Sequence, residues 1–455
     1  MEKIPVELVS HIIELLVEDY GFRGGSEMYH STLFDISLVC HAWYHIVISN
    51  PRIWSSICVS TRRPQEALVQ KSLARSKAAP LNVFINLCSD AESPFEDRSD
   101  IPLALRSIQP YQHRFRTLDF YVDFRENLRD AFTILRPYFP KLERMHCMIH
   151  VNAYDGILLS MPSVEFLALR ELRLFNVPIG WKSLNAPNLR KLSLELHPNP
   201  LHLDSFLHLL SSTPYIEHLE ICSPNILDYT TSIHQLDLPH LKVLKIRHGR
   251  LGDLAHALLL HINALNLRVL YVSYHLKPAH EIKFTNYFAH LEHLSLVWIN
   301  QPRHLLPRLA SQMPNLRSFM LVACHDLPPL ALGFLSQRQE NGQLPFPHLT
   351  TLILRRVKFR QVMKLARSRS TLKELVLFPI DLYTLPPTDC WRERQWMWLR
   401  ETFKVRLFFS RMETYERENA SREFLIKGDL VWPDFRGCEI VCIEEYLEDM
   451  YGIKT

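Results

Sequence analysis

Apolar residues at the start of the chain fall at Ile4, Leu8, Val9, Ile12, Ile13, Leu15 and Leu16. This spacing predicts an amphipathic helix with a broad apolar face. Pro5 suits its first turn, where a missing N–H costs nothing. Residues 19–31, polar and containing Gly21, Gly24 and Gly25, read as a loop. A second apolar stretch includes Leu33, Leu38, Val39, Cys40, Trp43 and Val47; Asn50-Pro51 closes it and Ile53-Trp54 follows. A short set of helices cannot bury this much apolar surface by itself. Either it packs on the rest of the chain or it receives a partner.

Further along, a six-residue pattern recurs: apolar, two variable, apolar, one variable, apolar. Its members are Phe115-Leu118-Phe120, Leu142-Met145-Cys147, Leu169-Leu172-Leu174, Leu189-Leu192-Leu194, Ile216-Leu219-Ile221 and Leu241-Leu244-Ile246. It continues with Leu267-Leu270-Val272, Leu291-Leu294-Leu296, Leu316-Phe319-Leu321, Leu349-Leu352-Leu354 and Leu372-Leu375-Leu377. The first members lie 27, 27, 20, 27, 25, 26, 24, 25, 33 and 23 residues apart. Proline stands two residues before the first member at Pro140, Pro187, Pro214, Pro239, Pro314 and Pro347, where it ends a helix and admits a strand. Each unit therefore reads as strand, bend, helix, return. Such a unit cannot bury its apolar side alone, but stacked units share one core. The alternative is an ordinary α/β domain with parallel strands.

Composition sharpens this picture. Of 73 leucines, 54 lie within residues 151–400. Only 12 residues are glycine, well below the usual share of about 7%, which argues against phosphate loops and Rossmann turns. A net charge of +4 gives no basic excess of the kind nucleic-acid-binding domains carry. The nine cysteines are scattered without a C-x-x-C pair, as expected of a reduced intracellular protein. The N-terminus does not read as a signal peptide, and no apolar run reaches the length of a membrane span. The expected location is therefore cytoplasmic or nuclear.

The 23 histidines include no H-E-x-x-H and no zinc spacing with cysteine, so no metal and no cofactor are expected. No nucleophile elbow or kinase signature occurs, and the chain is not expected to be an enzyme. Residues 355–373 carry eight basic groups and no acid: Arg355, Arg356, Lys358, Arg360, Lys364, Arg367, Arg369 and Lys373. The cluster is either a solvated outer face or a site for an acidic segment. Arg355, Arg356 and Lys358, just after a strand pattern, are the candidates to meet a target.

Two family resemblances emerge. Ile4-Pro5-Val6-Glu7-Leu8-Val9 with Ile12 and Ile13, then Leu38-Val39-Cys40-His41-Ala42-Trp43, then Ile53-Trp54, resemble the three blocks of an F-box in order. His41 stands where the family commonly has Lys or Arg, and residues 19–31 exceed the shortest family loops. The repeated pattern resembles a leucine-rich repeat, although the family's asparagine after the pattern is mostly absent; Cys324 alone matches. Together these resemblances imply an α/β chain: a three-helix F-box (1–57), a bridging segment and N-terminal cap (58–110), an irregular leucine-rich-repeat solenoid of parallel strands and helices (111–385), and a C-terminal cap (386–455). They imply docking on the Skp adaptor, and through it a cullin, by Ile4, Pro5, Leu8, Ile12, Leu38, Val39, Cys40, Trp43 and Trp54. The solenoid would hold a target protein for ubiquitin transfer. The alternative is an interaction scaffold without a role in ubiquitin transfer. Neither nucleic acid nor membrane is an expected partner.

Overall fold

Two periodicities, one near 3.6 and one of 2, divide the chain into an all-helical start and a long array of strands. The computed structural model describes residues 5–23, 25–60, 66–88, 100–123, 125–135, 138–150, 164–177, 184–196, 201–222, 226–227, 236–247, 258–259, 261–273, 288–297, 305–322, 327–339, 342–354, 359–377, 398, 401–402, 404–409 and 439–442. The protein is α/β and divides into two compact units, Met1–Leu236 and Asp237–Thr455.

The first unit opens with α1 (Val6–Arg23), α2 (Gly25–Val39) and α3 (His41–Ser49). The loop expected over residues 19–31 is largely helix: α1 runs to Arg23 and α2 resumes at Gly25. No proline lies in this stretch, and one glycine costs a helix only about 1 kcal/mol. There follow β1 (Ser56–Ser60), α4 (Glu66–Arg75), β2 (Leu81–Leu87), α5 (Asp100–Ile108), β3 (Phe115–Val122) and α6 (Arg125–Leu135). The unit ends with β4 (Arg144–Ile149), β5 (Glu171–Phe175), β6 (Lys191–Glu195), α7 (Leu203–Ser211) and β7 (His218–Cys222). All seven strands are parallel and lie side by side in chain order. The segment read as a bridge thus supplies most of the edge strand β1 and all of β2 beside it.

The second unit repeats the scheme with β8 (Val243–Arg247), β9 (Val269–Ser273), β10 (His293–Val297), α8 (Leu305–Gln312), β11 (Ser318–Val322) and α9 (Leu327–Ser336). It continues with β12 (Thr351–Leu354), α10 (Phe359–Ser368), β13 (Glu374–Leu377), β14 (Lys404–Phe409) and β15 (Glu439–Cys442). These eight strands are also parallel and in chain order. The expected C-terminal cap therefore contributes β14 and β15; most of its other residues lie outside the described set.

All eleven repeats of the apolar pattern coincide with strands, and every member whose side chain is described is buried. The strands begin later than the pattern. From β4 to β13 the first apolar residue lies before the strand, and in most units it closes a four-residue turn. Its N–H donates to the carbonyl three residues back, as in Leu142 to Phe139 (3.2 Å), Ile216 to Thr213 (3.2 Å), Leu241 to Leu238 (3.1 Å), Leu316 to Met313 (3.3 Å) and Leu349 to Phe346 (3.1 Å). The recurrent prolines occupy the second position of these turns, where their fixed φ fits. The residue that starts each turn is also buried: Phe139, Phe166, Ala186, Thr213, Leu238, Ala264, Phe288, Met313 and Phe346.

Successive turns are tied together. Asn188 Nδ2 donates to the Leu167 carbonyl, Asn266 to Pro239 and Asn315 to Ala289, each at 2.7 Å. Asparagine does link repeats, mostly from the turn before the strand; Asn176, just after β5, also donates to the Ile149 carbonyl of the previous unit (3.4 Å). Not every return is helical: Val164–Glu165 pairs in parallel with Leu184–Asn185, and Leu201–His202 with Ile226–Leu227.

Candidate docking surfaces

In α1, Val9 and Ile13 face inward, one turn apart. They join Leu33 and Ile36 of α2, Ile46 and Val47 of α3, and Ile53 and Trp54 beyond it in one core. Polar contacts close this module. Asn50 Nδ2 donates to Ser10 Oγ (2.7 Å) and Glu14 Oε1 (2.6 Å), pinning the end of α3 to α1. The Trp54 indole N–H donates to the Val47 carbonyl (2.6 Å), and the Arg75 guanidinium of α4 lies 4.4 Å over its ring.

A second apolar stripe on the same helices is left uncovered. Leu8, Ile12, Leu15 and Leu16 follow helical spacing on α1; Leu8 is 54% exposed and Leu15 52%. On α2, Phe34 is 63% exposed, Leu38 67% and Val39 61%. Burying each such side chain is worth roughly 1.5–3 kcal/mol, so an exposed helical stripe of this size is a candidate docking face.

The nine residues expected to dock are thereby sorted. Pro5, Leu8, Ile12, Leu38, Val39 and Cys40 are exposed. Trp43 is half-buried and packs against the module's core. Trp54 does not belong to the open surface: at 6% exposure, with its N–H and ring both engaged, it holds the module together. Ile4 lies outside the described residues. Leu15, Leu16 and Phe34 were not singled out in the sequence, yet Leu15 continues the i, i+4, i+7 stripe begun by Leu8 and Ile12.

The basic run behaves less uniformly than a solvated face would. Arg355, Arg356 and Lys358 lie outside the described residues. Arg369 is buried and donates to backbone carbonyls: Nε to Leu335 (2.9 Å), Nη1 to Phe346 (3.1 Å) and Nη2 to Pro345. Burial lowers its pKa to about 10, which leaves it cationic at neutral pH. This arginine ties the end of α9 to the turn entering β12.

The first unit has another open surface. Alternate residues of β1 to β7 point into the core, and the others form a grid in register. Its middle row runs Cys58, Phe84, Asp119, His146, Arg173, Ser193 and Glu220. All seven are partly exposed. In the second unit several equivalent positions are buried, among them Lys245, Ser295, Met320, Ile353 and Val376.

Within the grid, Arg173 Nε donates to Glu171 Oε1 (2.7 Å), which Lys191 also approaches (3.5 Å). Asp119 is treated differently. Its side chain is 14% exposed, and the His146 ring lies beside it, Nδ1 to Oδ1 3.8 Å. Burial pushes the Asp119 carboxyl up to about 6, although Arg144 and Arg173 pull it down. Burial, with Arg173, also holds His146 down at about 4, so the ring is neutral at pH 7.

Among the described residues no group of three or more His, Cys, Asp or Glu is arranged to hold a metal ion, and no helix is long and apolar enough to cross a membrane. No protein-family model matches the chain, and no curated protein matches it. A solved crystal structure of a protein from Bacteroides fragilis aligns over 64% of this chain and 73% of its own, at 15% identity and a TM-score of 0.33. That likeness is too remote to bear on function.

Proposed function

We propose that this protein is the substrate-recognition subunit of a Skp–cullin–F-box ubiquitin ligase. In this reading α1 to α3 are the F-box, the strand-and-return units are a leucine-rich-repeat solenoid, and the solenoid holds a target protein. The observation that carries it is the uncovered apolar stripe: Leu8, Ile12, Leu38 and Val39 stand exposed on helices whose sequence resembles an F-box. A stripe of leucines at helical spacing, rooted in a separate buried core, is what a helical adaptor groove takes up. The subunit's contribution to rate is proximity: it raises the effective concentration of a target lysine near a ubiquitin thioester. It breaks no bond itself.

Co-precipitation of the purified chain with the Skp adaptor tests this. Wild type captures the adaptor, and Leu8→Ala with Leu38→Ala lowers capture at least about tenfold without changing thermal unfolding. Absence of capture by wild type, or full capture by the double variant, would sink the proposal. Recovery of a cullin with the complex from cells then separates a ligase subunit from a scaffold.

A further inference from the structure

The open strand face of the first unit carries a part-buried carboxylate, Asp119, among aromatic side chains. Asp119 sits in the middle of β3, with Phe84 beside it on β2 and His146 beside it on β4. Tyr121 follows two residues on, on the same face. The rings of Phe84 and Tyr121 lie 4.9 Å apart, and those of Tyr121 and His146 5.6 Å apart, edge to face. Asp119 is therefore bordered by three flat side chains on a surface that is otherwise open.

We infer that Asp119, Phe84 and Tyr121 form a docking point for an arginine side chain of a bound protein segment. A guanidinium can donate N–H groups to a carboxylate while its plane lies on an aromatic ring, and that pairing gains strength where water is partly excluded. The groups around Asp119 favour approach from one side. Towards β2 its neighbours Asn82, Phe84 and Asn86 carry no charge, and on its own strand it has Thr117 and Tyr121. Towards β4 and β5 it faces Arg144, His146, Glu171 and Arg173. Glu171 already draws Arg173 and Lys191, whereas His146 is neutral at pH 7. The fields of Arg144 and Arg173 offset the burial of Asp119 only in part. A donor placed directly on the carboxylate supplies what they do not.

As the anchor of a ligase target this inference rests on the receptor reading; as a cation site it is measured alone. The probe is Ac-Gly-Gly-Arg-Gly-Gly-amide, followed by saturation-transfer NMR on the full-length protein. Its control is the same peptide with citrulline, which keeps the shape and removes the charge. Transfer to the arginine peptide exceeds transfer to the citrulline peptide, and Asp119→Asn or Phe84→Leu weakens arginine binding by about tenfold. In wild type the binding also fades as pH falls through about 6, because protonation removes the acceptor charge. This titration decides the matter should the variants fail to fold. Equal binding of the two peptides, arginine binding unchanged in Asp119→Asn, or no loss between pH 7.5 and pH 5, overturns the inference. Adaptor capture by Asp119→Asn stays at the wild-type level, so failure here is read separately from failure of the F-box proposal.

Discussion

Single residues matter here chiefly where charge meets burial. Arg369 satisfies three carbonyls from inside the second unit. Arg369→Leu leaves them without that donor and is expected to lower stability by about 3 kcal/mol, measured by denaturant unfolding. Arg369→Lys recovers only part, because an ammonium cannot reach three separated acceptors as a fork does. Asp119 acts in the opposite sense. Its folded carboxyl titrates at about 6 against an ordinary value of 3.8, so the folded state holds its proton more tightly. Its contribution is most favourable below pH 3.8 and is lost as pH rises through 6. Asp119→Asn is therefore expected to stabilise the protein at pH 7.5, by up to about 3 kcal/mol, with the gain shrinking towards pH 4. His146, held down at about 4, contributes stability above 6.5 that is lost as pH falls through 4. In wild type the two slopes oppose each other between pH 4 and 6, and thermal unfolding of Asp119→Asn across that window isolates the histidine's. A carboxylate that lowers stability is more readily understood at a binding surface than in a scaffold.

At the level of elements, the repeat was legible because each strand drives the same alternate residues into the core, so its period survives in sequence. The entering turn was legible only in part. The prolines mark its second position, but its first position holds Phe, Ala, Thr, Leu or Met, as at Phe139, Ala186, Thr213, Leu238 and Met313, and such variety conceals a pattern. The turn asparagines were hidden for the same reason: among the described residues they hold one repeat to the previous one at Asn188, Asn266 and Asn315. The helical character of residues 19–23 and 25–31 was missed because local polarity and three glycines outweighed the absence of proline. These turns are testable. Phe288→Ala removes a fully buried ring at the start of the turn into β10 and is expected to cost about 3–5 kcal/mol. Asn266→Ala removes one partly solvated hydrogen bond and is expected to cost about 1 kcal/mol. Urea unfolding midpoints should rank the two in that order; equal costs would mean that the turn residues do not belong to the strand core.

For the molecule as a whole, the N-terminal helices carry one apolar stripe in their core and a second that is exposed. Trp54 illustrates how far sequence could go: the F-box resemblance placed it on the docking face, whereas its indole bond to Val47 and the Arg75 guanidinium over its ring put it in the module's core. The leucines were equally ambiguous, since α1 carries apolar residues on two adjoining stripes and helical spacing alone does not say which is covered. Stability and association therefore depend on different residues of the same module. Trp54→Ala empties a core site and is expected to cost about 3–5 kcal/mol, with adaptor capture falling only through unfolding. Leu8→Glu with Leu38→Glu changes positions 54% and 67% exposed, and unfolding should move by no more than about 0.5 kcal/mol. The same pair should abolish adaptor capture and reduce self-association of the isolated chain in sedimentation, because exposed apolar patches drive both. Were the double glutamate variant to unfold as readily as Trp54→Ala, the stripe would be internal packing, and the chain would have no vacant helical face to offer a partner.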